Sequence, residues 1–178
     1  MRPRPTAESY QRFFKDAYWQ RQLVGEGYAT SPVYSDKKTD QMQIRMPKYR
    51  KVYKDLTEQI QGSGFSIDSS TRVLEVGCGF GYSLEWLHKD FGCQVFGIEP
   101  STKGVERCRD GGVPIIASSV QDFAFGPRPS DAGEKYDIII FRMVLDMIID
   151  PVEVMREIRD FLNDDGIIIV TCNNVEYY

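Results

Sequence analysis

Between residues 73 and 82 the chain reads Val73-Leu74-Glu75-Val76-Gly77-Cys78-Gly79-Phe80-Gly81-Tyr82, and few runs restrict a fold more. A β-rich stretch, Arg72–Val76, stops at alternating glycines, and a helical pattern follows through Leu84, Leu87 and Phe91. A strand that ends in a glycine-rich turn before a helix brings main-chain N–H groups close to a ligand, and the helix N-terminus adds positive potential for an anionic group. Glycine is required because a Cβ would block that approach or forbid the backbone angles. Nucleoside and dinucleotide cofactors both use such a turn. Spacing separates them: the nicotinamide fingerprint is G-x-G-x-x-G, whereas Gly77, Gly79 and Gly81 give G-x-G-x-G, with Glu75 inside the strand end. A nicotinamide-dependent oxidoreductase is therefore disfavoured.

The rest of the chain continues the rhythm. Strands are expected at Gln94–Ile98, Val113–Ala117, Tyr136–Phe141 and Ile167–Thr171, and the three consecutive isoleucines of the fourth suit a strand buried on both faces. Helices are expected at Thr102–Asp110 and Pro151–Leu162, a loop over Ala124–Lys135 and a turn over Asn163–Gly166. Strands alternating with helices imply a parallel sheet with right-handed crossovers. The expectation is an α/β fold, a Rossmann-like three-layer αβα sandwich of five strands. An N-terminal helical extension (residues 1–64) precedes that domain (residues 65–178). In the extension, Tyr10, Phe13, Phe14 and Tyr18 suit a helix from Ala7 to about Leu23, and Gly25–Asp40 reads as a loop. A second helix is expected from near Pro47 to the glycines at 62 and 64.

At 178 residues one domain is expected, and no run approaches the roughly 18 apolar residues that span a bilayer. A cytoplasmic location and no membrane partner follow. Cys78, Cys93, Cys108 and Cys172 form no C-x-x-C pair and His88 is the sole histidine, so neither a metal site nor a disulfide framework is expected. Residues 1–54 hold twelve Lys or Arg against five Asp or Glu, so the rest of a chain of net charge −4 carries −11. Aromatic residues spread through this basic arm favour packing on an acidic body over binding nucleic acid.

The E-x-G-x-G-x-G run resembles motif I of the class I S-adenosylmethionine-dependent methyltransferases. That resemblance covers about residues 70–172. It implies that Glu75, Gly77, Cys78, Gly79 and Gly81 cradle the methionyl part of the cofactor, the acid holding its ammonium. Glu99, 18 residues beyond Gly81 at the tip of the second strand, is similar to the family's ribose-binding acid, and Glu99-Pro100-Ser101 has the common form. Ala117-Ser118-Ser119-Val120-Gln121-Asp122-Phe123 resembles the family loop at adenine, with Ser119 in place of the usual acid and Val120 supplying a backbone amide. Tyr136–Met147, leading to Asp150-Pro151, is similar to the fourth strand and next helix, with Phe141 lining the cofactor pocket. Many relatives have a histidine where Met147 stands, so no general base is named. Arg142 and Asp146 lie near the right strand end, though helix-surface roles suit them equally. His88 reads as structural. Tyr10, Tyr18 and Trp19 could close over the methyl donor, but such aromatics are more often core.

The implied reaction is methyl transfer to a small-molecule nucleophile, with S-adenosylhomocysteine as product. The alternative is a non-catalytic S-adenosylmethionine-binding partial methyltransferase acting as a subunit or regulatory partner. The family's sheet has seven strands in the order 3-2-1-4-5-7-6, and this sequence reaches Tyr178 just after its fifth. A truncated piece, a natural fragment completed by another chain, and self-association through the fifth-strand edge all remain open.

Overall fold

A computed structural model describes residues 6–17, 38–126 and 135–172. Helix α1 (Ala7–Arg12) runs into one π-helical turn (Phe13–Ala17). Helix α2 spans Lys38–Gly62. There follow β1 (Arg72–Val76), α3 (Tyr82–Phe91), β2 (Gln94–Ile98), α4 (Thr102–Asp110), β3 (Ile115–Ala117), α5 (Val120–Phe125), β4 (Tyr136–Arg142), a short 3-10 turn (Leu145–Met147), α6 (Pro151–Arg159) and β5 (Leu162–Thr171). The five strands form one parallel sheet in the order β3-β2-β1-β4-β5, as expected of a Rossmann-like α/β fold.

Helices pack on both faces because the central strands are apolar on both. Val73, Ile138 and Ile140 point to one layer, with Leu84, Leu87 and Cys108 of α3 and α4. Leu74, Val76, Ile139 and Phe141 point to the other, with Val120, Phe123, Val154 and Ile158 of α5 and α6. The end of α2 belongs to the first layer: Leu56 and Ile60 are buried there, and the Tyr53 hydroxyl donates to Asp90 of α3 at 2.7 Å. The N-terminal extension thus contributes directly to the core.

Three elements depart most from expectation, while β3 and α6 are shorter than expected. Helix α2 begins at Lys38, not near Pro47, because the Lys-, Gln-, Met- and Arg-rich run before the proline favours helix. Helix α5 replaces what reads as loop: Ser119 caps it by accepting from the Asp122 N–H, and Phe123 is anchored in the core. The expected turn at 163–166 lies within β5, where the register jumps from Tyr136↔Leu162 to Ile138↔Ile167, so the polar residues form a bulge. Among the described residues no helix is long and apolar enough to cross a membrane.

Candidate functional site

The C-terminal ends of β1, β2 and β4 converge on the glycine turn. Gly77, Gly79 and Gly81 have φ of +67°, +58° and +69°, the left-handed region that side chains disfavour. A Cβ on Gly77 would stand 2.6 Å from Val144 Cγ2, and one on Gly81 would stand 2.8 Å from Cys108 Sγ. The turn is therefore closed against substitution by its own neighbours.

Its amides, however, face inward. The N–H groups of Gly77 and Cys78 donate to the Ile98 carbonyl at 2.8 and 3.2 Å, and that of Gly81 to the Cys78 carbonyl at 3.0 Å. The Gly79 N–H donates to Glu99 Oε2 at 2.9 Å. These groups tie the turn to the end of β2 rather than offering donors to a ligand. The turn supplies a smooth, Cβ-free wall.

Cys78 also points inward, its sulfur 3.9 Å from that of Cys108, whose thiol donates to the Gly79 carbonyl at 3.4 Å. The hydrogen bond with the Cys108 thiol, and then burial, push the Cys78 thiol well above its usual range, so it stays protonated. Gly97, in mid-strand β2, makes room for it, since a Cβ there would lie 2.5 Å from Cys78 Sγ. An isolated glycine within a strand signals such close approach, and the sequence reading passed over it.

Glu99 is buried at the tip of β2. One oxygen takes the Gly79 N–H; the other takes the Ser101 N–H at 3.0 Å and the Ser101 hydroxyl. A carboxylate has about four acceptor directions, so one remains for an incoming hydroxyl, and a second would displace the Ser101 hydroxyl. Beside Glu99 opens a cavity of about 530 Å³, bordered by Pro100, Thr102, Arg109, Ala117, Ser118 and Lys15, a volume ordinary for a small-ligand site. Ser119 is half-buried and Val120 buried at the start of α5, with exposed Ser118 forming the adjacent cavity wall.

Glu75 is wholly buried on β1. Its Oε1 accepts from Arg142 Nη2 of β4 at 2.7 Å, while Oε2 has no hydrogen-bond partner among the described residues. Burial pushes its carboxyl above the usual value of 4.5, Arg142 partly opposes the rise, and Glu99 adds to it. A buried carboxylate oxygen without a donor costs free energy unless a ligand supplies one. An ammonium fits that requirement.

Phe141 differs from expectation. It is buried in the core beneath the site, and Arg142 is the residue that reaches the strand end. Beyond it, Met143 (φ +55°) and Asp150 (φ +53°) hold left-handed conformations at the two ends of the segment that carries Val144 onto Gly77. Asp146 is exposed in the 3-10 turn. His88 Nδ1 lies 2.8 Å from the Cys93 carbonyl at the far end of α3, a structural contact. Tyr18 and Trp19 lie outside the described residues, as does the side chain of Tyr10.

Residues 43–177 match a family model described as a methyltransferase domain. A ubiquinone biosynthesis O-methyltransferase of Actinobacillus pleuropneumoniae serotype 7 is 28% identical over 109 residues, covering 58% of this chain and 46% of its own. That of Azorhizobium caulinodans is 27% identical over 109 residues, covering 58% and 40%. This chain thus spans less than half the length of these curated relatives. Among solved structures, the plantazolicin methyltransferase in complex with a pentazolic desmethylPZN analogue and S-adenosylhomocysteine superposes with a TM-score of 0.61, 16% identity, and coverage of 94% of this chain and 60% of the other. An amino pentose methyltransferase from Micromonospora echinaspora, with S-adenosylmethionine bound, gives 0.57 at 18% identity, covering 79% and 58%.

Proposed function

The chain belongs to the methyltransferase-domain family, and from that premise we propose that it binds S-adenosylmethionine and passes its methyl group to a small-molecule acceptor. The observation that carries this reading is the row of groups across the sheet edge: Glu99 at β2, the left-handed glycines after β1, and buried Glu75 with an oxygen that has no partner among the described residues. The residues fit the cofactor. Glu99 accepts from the ribose, the glycine wall lies along the chain that carries sulfur, and Glu75 Oε2 takes the ammonium. Ser118, Ser119 and Val120 border adenine, beside Pro100 and the cavity.

When bound, the cofactor supplies a methyl group already activated on a sulfonium. The chain's own contribution is alignment and exclusion of water. A base for the acceptor is not required where the acceptor atom is already a nucleophile, and no histidine stands at Met147 to act as one. Support for a small acceptor comes from the kinds of molecule named for the relatives. A cytoplasmic setting suits three buried cysteines outside any disulfide, two of them with sulfurs 3.9 Å apart. Among the described residues β5 pairs on one side only, with β4, and a partner or second copy completing that edge is part of the proposal.

Calorimetry with S-adenosylhomocysteine tests binding, with Gly79→Arg and Glu99→Ala expected to lower affinity at least about tenfold, the scale of a charged hydrogen bond. Unchanged affinity in both variants would sink the reading. Transfer of label from the cofactor into a metabolite extract then separates an enzyme from a binding subunit.

A further inference from the structure

We propose that Arg142 and Glu75 together form a clamp for a zwitterion, in which Glu75 takes the α-ammonium of the cofactor and Arg142 takes its α-carboxylate. Arg142 is thereby a specificity-determining residue that rejects nucleoside ligands without that carboxylate. The inference rests on the cofactor reading above and adds to it a role for a residue outside the glycine motif.

Three observations carry it. Position comes first. Ile140 is the register partner of Glu75, and Arg142 lies two residues farther along β4 on the same face. In the sheet order β2-β1-β4, Glu99, Glu75 and Arg142 therefore stand on three successive strands. Two strand spacings are roughly 10 Å, about the reach of a ribose joined through sulfur to a four-carbon amino acid.

Donor accounting comes second. A guanidinium has five N–H donors in a planar fork. The bond to Glu75 uses Nη2, and the Arg142 side chain keeps 22% of its surface exposed while that of Glu75 keeps 1%. The ion pair faces protein with its acid and open space with its base.

Charge balance comes third. An ammonium placed on Glu75 Oε2 shares that carboxylate with Arg142, setting two cations against one anion in a buried site. A ligand carboxylate on Arg142 restores strict alternation of sign. The amino-acid end of the cofactor carries both groups on one carbon. A carboxylate on the methyl acceptor would offer Arg142 the same chemistry from another source.

The experiment measures dissociation constants for S-adenosylhomocysteine and its decarboxylated analogue, using the full chain as wild type, Arg142→Gln and Arg142→Lys. Wild type should prefer the carboxylate-bearing ligand by about tenfold or more, the scale of a charge-assisted pair. Arg142→Gln should bring that preference to within about threefold, chiefly by weakening S-adenosylhomocysteine and leaving the analogue nearly unchanged. Arg142→Lys keeps the charge but loses the fork, and should fall between. If Arg142→Gln does not fold by circular dichroism, the Lys variant carries the test and must lower the preference at least threefold. A preference equal in wild type and variants overturns the clamp. So does a wild type indifferent to the carboxylate, which would leave Arg142 to an anion on the acceptor. Failure of wild type to bind either ligand overturns the cofactor reading itself, a separate outcome.

Discussion

At the scale of single residues, the site is governed by what each side chain displaces. Gly77→Ala and Gly81→Ala would put a methyl group 2.6 Å from Val144 and 2.8 Å from Cys108 at positive φ. The left-handed penalty and the overpacking together should lower stability by about 2–4 kcal/mol, read as a shift of the urea midpoint, with loss of S-adenosylhomocysteine binding. Glu75 sets a pH dependence. Its folded carboxyl is raised by burial, so the folded protein binds more protons than the unfolded chain between the ordinary glutamate value and the raised one. Its stabilising share is present below that window and lost as pH rises through it. A ligand ammonium favours the ionised form, so binding should release protons within the window. Calorimetry in buffers of differing ionisation heat checks this, and Glu75→Gln should abolish the release. Ser101 holds one oxygen of Glu99 and also caps α4 through Gly104. Ser101→Ala should cost about 1 kcal/mol of stability without weakening the cofactor, since it frees an acceptor for the ribose.

At the scale of elements, the central strand β4 carries the fold. Ile139 is wholly buried, and Ile139→Ala should destabilise the protein by about 2–5 kcal/mol in chemical denaturation. Strands β1 and β2 and helix α4 were legible in sequence to the residue, because the first β-rich run ended at glycines and the second at Glu99-Pro100, just before the helix. Helix α5 was not, since six residues are too few for a helical period to declare itself against its flanking loop. The signal that could have found it was Ser119 with an acid three residues on, a capping pattern. The start of β5 was hidden for the opposite reason: Asn163-Asp164-Asp165-Gly166 has genuine turn chemistry, and the sheet absorbs it as a bulge. The glycine turn could be read from its spacing, whereas Glu99 was marked only through the family resemblance that the turn carries. The Arg142–Glu75 pair joins residues 67 apart and exists only once β1 and β4 are in register, which no local pattern encodes.

At the scale of the whole molecule, the sheet has a broad aliphatic border. Ile167, Ile168 and Ile169 are partly buried, and Val170 remains 41% exposed on a strand with one neighbour among the described residues. A partner strand or second copy completing this edge, as proposed above, should show in sedimentation equilibrium as a mass rising with concentration. Val170→Lys should return it toward the single chain while leaving the melting temperature nearly unchanged. The inward-facing amides of the glycine turn have a thermodynamic corollary. A wall whose four amides are already satisfied holds hydrating water weakly, so the sulfur-bearing chain of a ligand should dock by dewetting. That contact should then carry a negative heat-capacity change and little sensitivity to ionic strength, confining any salt effect to the groups that meet Glu75, Arg142 and Glu99.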